Sequence, residues 1–103
     1  MATNDKTAAA ALAEPKRTKV RIPEHVVHRT FASETVALNL DTGQYHGLNH
    51  TAGRMLEVVG LTGDLERAAH ELAAEFDQPL ADIQRDLQAF CRQLGERGLV
   101  EVL

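Results

Sequence analysis

The sequence contains no tryptophan, few aromatic residues and a single cysteine, Cys91. One cysteine excludes an internal disulfide and leaves no second thiol for a cysteine-based zinc site. Aromatic residues make up only 4% of the 103 positions, so the core must be built from aliphatic side chains with a few phenylalanines. A chain of this length is expected to form one domain whose modest core needs neither a disulfide nor a metal.

The sequence also lacks a long hydrophobic run near its N-terminus. The longest apolar stretch there, residues 8–13, is mostly alanine and follows Asp5 and Lys6. It is too short and too weakly apolar for a signal peptide or a membrane-spanning helix. We therefore expect a cytoplasmic protein without a membrane partner.

Basic residues are concentrated at the N-terminus and are scarce elsewhere. Residues 1–30 carry six basic and three acidic side chains, whereas residues 31–103 carry five basic and twelve acidic ones. The formal net charges of these two parts are +3 and −7. Because nucleic-acid binding depends on neutralising phosphates with Lys and Arg, the acidic part argues against a nucleic-acid partner.

The centre of the chain predicts a β-hairpin that leads directly into a helix. Apolar and polar residues alternate over residues 36–40, as in a strand with one buried face, and residues 41–43 are turn formers. Residues 44–48 are the returning strand. Asn49 follows at once and is a good N-cap residue, so hairpin and helix are joined without a linker.

The flanking segments complete the domain. Residues 1–19 predict a disordered basic, Ala-rich tail, so the folded domain is expected to span residues 20–103. The stretch from Val20 to Val27 contains Pro23 and predicts a short edge strand. Residues 99–103 alternate enough for a final strand or an extended tail.

Three helices are predicted after the hairpin. The first is expected to end at Gly60, and Thr62 is expected to cap the second, whose apolar stripe continues to Phe76. Pro79 can begin the third helix and Gly98 can end it. This order of elements predicts an α+β fold, a small winged-helix-like domain with a three-stranded antiparallel sheet packed on three helices.

No catalytic or metal-binding motif is present. The sequence has no Gly-rich phosphate loop, no His-Glu-x-x-His and no Ser flanked by glycines. His25 and His28 are three residues apart, which on an extended chain places them on opposite faces, and Cys91 lies on the apolar face of a helix. We expect a binding module that is not an enzyme and that holds no metal and no cofactor.

The segment from Leu38 to Ala52, LNLDTGQYHGLNHTA, is followed by Asp86, Phe90 and Leu94 at four-residue spacing and by Gly-Leu-Val at residues 98–100. In this order the motifs resemble the PqqD-like family, also called the RiPP recognition element, over about residues 20–102. The resemblance implies a protein that binds the leader of a ribosomally synthesised, post-translationally modified peptide (RiPP) precursor. A free-standing chain of this kind is similar to the recognition proteins of lasso-peptide pathways, which present the precursor to a separate processing enzyme such as a leader peptidase.

The resemblance also implies where the leader binds. It would add as a strand to the returning strand of the hairpin and rest its side chains against the third helix. The implied peptide-binding residues are Gln44, Tyr45, His46, Gly47 and Leu48 on the strand, and Ile83, Asp86, Leu87 and Phe90 on the helix. Of these, Leu48 and Leu87 have the character of core residues, whereas Tyr45, Asp86 and Phe90 are expected in the groove. The strand register does not follow from the sequence, so the choice between Tyr45 and His46 as the residue that faces the groove stays open.

Three other functions stay open at the level of sequence. The resemblance also covers a carrier that delivers the pyrroloquinoline-quinone precursor peptide to a radical enzyme. A winged-helix DNA-binding domain has a similar order of elements, although its recognition helix should be basic, and the third helix here balances Arg and acidic residues. In a dimerisation module, the exposed strand edge would pair with its own copy.

Overall fold

A computed structural model describes residues 18–103. Most of the predicted tail, residues 1–17, lies outside the described residues, whereas Thr18 and Lys19 are bonded to the folded part: Leu65 N donates to Thr18 O (2.9 Å) and Leu103 N to Lys19 O (2.8 Å). The strands and helices follow in the order β1 (Val20–Arg21), β2 (Val26–Phe31), β3 (Glu34–Asn39), β4 (Gln44–Leu48), α1 (His50–Thr62), α2 (Leu65–Phe76), α3 (Leu80–Glu96) and β5 (Glu101–Val102).

The predicted α+β architecture is confirmed. Strands β2, β3 and β4 form an antiparallel sheet with β3 in the middle, and three helices follow it in the chain. The short strands β1 and β5 pair in a second, two-stranded antiparallel sheet. The final strand predicted near the C-terminus is therefore present, and it closes the domain by pairing with the start of the described chain.

The predicted first strand, Val20–Val27, is wrong in its extent. The structure divides it at Pro23 into β1, which pairs with β5, and β2, which continues to Phe31 and pairs with β3. Strand β2 is hard to recognise from the sequence because it carries apolar side chains on both faces. Val26 is buried, and Val27 on the opposite face is 45% exposed, so the strand lacks the alternation that marks a half-buried strand.

The predicted boundary between the first two helices is also displaced. Helix α1 continues through Gly60 to Thr62 and ends at Gly63, which has the left-handed φ of 66° and donates its N–H to Val59 O (2.9 Å). Asp64, and not Thr62, caps α2 by accepting a hydrogen bond from Arg67 N at 3.1 Å.

The core lies between the sheet and the helices. Its largest buried side chains come from every helix and from the C-terminal segment, and all are at most 2% exposed: Leu56, Leu72, Leu87, Leu94 and Leu99. Along β3, residues Thr35, Ala37 and Asn39 are buried while Val36 and Leu38 are only half-buried. The sheet thus has an inner face covered by the helices and an outer face that nothing within residues 18–103 covers.

Candidate functional site

Strand β4 is an edge of the three-stranded sheet. It pairs with β3 on one side, from Thr35 opposite Leu48 to Asn39 opposite Gln44. On its other side, no backbone hydrogen bond to another part of residues 18–103 is present. Unpaired main-chain groups on a strand edge are a template for the addition of another strand.

The register of the sheet determines which main-chain groups point outward. Leu40 N donates to His25 O at 2.7 Å, next to the pair Val26–Asn39, which makes that pair a non-hydrogen-bonded one. The main-chain groups of Asn39 therefore point toward β4, and the alternation along β3 directs those of Ala37 and Thr35 the same way. Their partners on β4 are Gln44, His46 and Leu48, so the free N–H and C=O groups of β4 belong to Tyr45 and Gly47.

The same register fixes the side-chain faces. His46 lies opposite Ala37, which is 0% exposed, so its imidazole points to the inner face, beside the helices. Tyr45 lies opposite Leu38 on the outer face and is 72% exposed. The pleat therefore places Tyr45, one of the residues expected in the groove, on the outer face and His46 on the face beside the helices. This distinction depends on pairing with β3, which the sequence does not reveal.

Helix α3 was expected to form the second wall of the groove. Ile83 and Leu87 are buried core residues, as is Leu48 on the strand side. Phe90 is half-buried and packs against the core, and Asp86 is exposed. Of the four helix residues implied by the resemblance, only Asp86 and Phe90 thus offer substantial surface to a ligand.

The C-terminal end of α3 is tied to the sheet by a residue that the sequence reasoning missed. The buried side chain of Asn39 donates from Nδ2 to Arg97 O (3.2 Å) and accepts at Oδ1 from Asp41 N (2.9 Å). It therefore joins the turn before β4 to the end of α3. His25 Nε2 lies 3.2 Å from Gly98 O and adds a second tie from the start of β2. The sequence carried no signal for this role, because the alternation of Val36, Leu38 and Leu40 predicts Asn39 on the opposite, outward face, whereas the structure buries Asn39.

One polar atom of β4 is left unsatisfied. Nε2 of His46 is buried and has no hydrogen-bond partner among the described residues. Burying a polar atom without a partner is unfavourable. Because His46 lies on the inner face of the edge strand, this buried atom lies on the side of β4 that faces the helices.

Other features of the described residues do not indicate chemistry. Two open clefts of about 400 and 420 Å³ lie beside β1, and neither is lined by a residue of β4 or α3. Within residues 18–103, no cluster of three or more His, Cys, Asp or Glu side chains is arranged for a metal ion, and no helix is long and apolar enough to cross a membrane. Burial raises the pKa of the Cys91 thiol to about 11, so the reactive thiolate is disfavoured.

Fold and site together define a small winged-helix-like domain with a free strand edge next to a helix, and comparison with known proteins gives its family. The family model described as coenzyme PQQ synthesis protein D (PqqD) matches residues 34–100. The chain therefore belongs to the PqqD family, and the resemblance found in the sequence is confirmed. No curated protein is similar enough in sequence to count as a match.

Two solved structures resemble the chain in fold. The first is described as TbiB1 in complex with the TbiA(beta) leader peptide; it shares 30% sequence identity with a TM-score of 0.73, over 79% of this chain and 94% of that one. The second is described as lasso peptide synthetase B1 complexed with the leader peptide, and it is 23% identical with a TM-score of 0.71, over 81% of this chain and 98% of that one. The second similarity concerns the fold alone.

Proposed function

We propose that this protein binds the leader segment of a RiPP precursor, of the lasso type, by strand addition to β4, and presents it to a separate processing enzyme. The observation that carries the proposal is the free edge of β4, where Tyr45 and Gly47 direct their N–H and C=O groups away from the sheet. The 30% identity to a protein solved in complex with a leader peptide supports a leader as the ligand. The processing enzyme would be a leader peptidase or another modifying enzyme.

The description of the family favours a second candidate from the same class. A protein of coenzyme PQQ synthesis would carry a precursor peptide to a radical enzyme, with the same edge engaged. Both candidates bind a peptide and perform no chemistry on it. The purified chain should therefore leave the mass of a precursor peptide unchanged.

In the proposed complex, the added strand places alternate side chains on the two faces of the sheet. Those on the inner face enter the space between β4 and α3, where His46, Phe90 and Asp86 are available to contact them. The remaining implied residues would contact the leader less directly. Leu48, Ile83 and Leu87 are buried and would hold β4 and α3 in position by packing in the core, and Gln44 lies exposed at the start of the strand.

The edge can be tested by removing one outward donor. Gly47→Pro deletes an N–H that makes no hydrogen bond within the sheet, so the fold should survive, as prolines are tolerated on outward-facing positions of edge strands. The control is Thr30→Pro on β2, the opposite edge, where the alternation also directs the N–H outward. This variant also loses the hydrogen bond between the Thr30 and Thr35 hydroxyls (2.9 Å), so circular dichroism must show that it is folded. The probe is a fluorescein-labelled synthetic leader of the precursor encoded beside this chain, titrated by fluorescence polarisation.

Gly47→Pro should weaken leader binding roughly 2- to 12-fold through the lost hydrogen bond alone, with Thr30→Pro unchanged. Phe90→Ala should also weaken binding, by removing an apolar contact on the helix side, and circular dichroism must show that it is folded. Equal loss in both proline variants would indicate a general effect on the sheet. If Gly47→Pro is folded and binds as well as the wild type, strand addition at β4 is refuted. Loss in Thr30→Pro alone would assign the leader to β2.

A further inference from the structure

The outer face of the sheet carries apolar side chains that no part of residues 18–103 covers, together with the charged side chains of Arg29 and Glu34. The apolar side chains on its two edge strands are exposed: Val27, Phe31 and Tyr45 are 45%, 60% and 72% exposed. Val36 and Leu38 of the central strand are half-buried between them. Beside the edge strand β4, the side chains of Tyr45, Leu38 and Val36 form an apolar surface on the side that faces away from the helices.

Gly47 interrupts this surface without a reason in the fold. An ideal Cβ built on Gly47 has no heavy atom within 4 Å, and Gly47 is not among the glycines with positive φ, which are Gly43, Gly63 and Gly98. A side chain would therefore fit in both space and backbone conformation. Glycine weakens a strand interior and often marks a place where a ligand approaches closely.

The register connects this gap to the proposed leader. The free main-chain groups of β4 belong to Tyr45 and Gly47, and residues directly opposite each other in neighbouring strands share a face. A leader strand on this edge thus places one side chain opposite Gly47 and one opposite Tyr45, both on the outer face. The leader side chain opposite Gly47 meets no side chain on β4, and beyond the gap lies half-buried Val36.

We propose that Gly47 and Tyr45 form a size-selective notch on the outer face, which takes a large apolar or aromatic leader side chain. This inference rests on the proposed strand addition. The side chain lies across Gly47 toward Val36, with the ring of Tyr45 as the wall of the notch. Cβ atoms of opposite residues are about 4.5–5.5 Å apart and diagonal neighbours about 7–8 Å, which an aromatic or long aliphatic side chain spans and alanine does not. An aromatic residue opposite a strand glycine also compensates for the missing side chain.

The test fills the notch and asks whether one leader position changes its size preference. Gly47→Ala and Gly47→Val are compared with the wild type against an alanine scan of the labelled synthetic leader used above. Both variants should be folded and at least as stable as the wild type, because nothing occupies the space. Gly47→Val should weaken binding of the unaltered leader at least about fivefold, with a smaller loss for Gly47→Ala.

The decisive result is a switch at a single leader position. The leader with alanine at this position should bind the wild type more weakly than the unaltered leader does. The same alanine-substituted leader should bind Gly47→Val with an affinity within about twofold of its affinity for the wild type. Tyr45→Ser should lose affinity for the unaltered leader and not for this alanine-substituted one. Val27→Thr, on the outer face but on the opposite edge strand, is the matched control and should leave affinity unchanged.

The outcomes separate this inference from the proposed function. If Gly47→Pro loses binding while Gly47→Val retains it for every leader in the scan, the leader adds to β4 but the notch selects nothing, and the inference is overturned. An equal loss in Val27→Thr would also overturn it, because the whole face and not the notch would be responsible. A leader that fails to bind the wild type overturns the proposed function and this inference with it.

Discussion

The close packing of α1 against the sheet can be measured by replacing three helical glycines with alanine and comparing the free energies of unfolding of the variants. Replacing a helical glycine by alanine stabilises a helix by about 0.5–1 kcal/mol when the added methyl group meets nothing. At Gly53 of α1, an ideal Cβ would overlap Thr35 Oγ1 and lie 2.8 Å from Thr35 Cβ. Thr35 is 3% exposed on the central strand, and its Oγ1 lies 2.9 Å from Thr30 Oγ1, so a rotation that makes room for the methyl group would break this hydrogen bond.

We therefore expect Gly53→Ala to destabilise the protein in spite of its helix propensity. Overpacking a core costs about 1–3 kcal/mol, which exceeds the gain from propensity. Gly60→Ala meets only the side chain of Ile22, at 2.7 Å from Cδ1 and 3.5 Å from Cγ1. This side chain is half-buried and can rotate at its far end, so the effect should be close to neutral. Gly95→Ala meets only Val100 O at 3.9 Å and should stabilise.

Urea unfolding followed by circular dichroism gives the free energies of unfolding of the three variants, which can be compared directly if the m value is unchanged. The expected order of stability is Gly95→Ala, then Gly60→Ala, then Gly53→Ala. Thr35→Ala removes the overlapping Oγ1, so the cost of Gly53→Ala should be smaller by about 1 kcal/mol in that background. A Gly53→Ala variant as stable as Gly95→Ala, or a cost unaffected by Thr35→Ala, would refute the proposed contact between α1 and β3.

Two further predictions concern buried groups near the site. His46→Leu should raise the free energy of unfolding by about 1–3 kcal/mol in urea titrations, because it removes the unpaired buried Nε2; an unchanged or lower stability would contradict that atom's being buried without a partner. Cys91 has a pKa raised by burial to about 11 in the folded protein against an ordinary value near 9, so its contribution to stability is complete below pH 9 and is lost as the pH rises toward 11. Cys91→Ala should flatten the decline of stability over that window by at most about 3 kcal/mol, and a decline as steep as in the wild type would assign it to other groups.

Much of the fold could be predicted from the sequence because its signals are local. The hairpin from β3 to β4, the N-cap Asn49 and the stripes of the three helices follow from residues close together in the chain, and the Asn49 side chain does accept a hydrogen bond from Ala52 N at 2.9 Å. The elements that depend on distant partners could not be predicted in the same way. Strand β1 exists through its pairing with β5, about 80 residues later, as Val20 opposite Val102 shows.

The site was predictable only in outline for the same reason. Alternation along β4 shows that Tyr45 and His46 face opposite ways, but not which of them faces the helices. Pairing with β3 decides which side chain faces the helices. The direction of the free N–H groups depends on β2 as well, through the hydrogen bond from Leu40 N to His25 O. The directions of the side chains and N–H groups of β4 thus depend on contacts with other strands, which the sequence of β4 alone does not contain.

The register also separates the residues of β4 into two sets, those whose main-chain groups point outward and those bonded to β3. In an antiparallel sheet, the residues whose main-chain groups point outward all carry their side chains on one face. On β4 these are Tyr45 and Gly47, so the residues that supply hydrogen bonds to an added strand also form the outer surface beside it. His46 and Leu48 are bonded inward and face the helices. In the proposed complex, main-chain pairing and outer-face selection would therefore change together along β4. The proposed inner groove would vary through His46, Asp86 and Phe90 without altering the main-chain hydrogen bonds to the added strand.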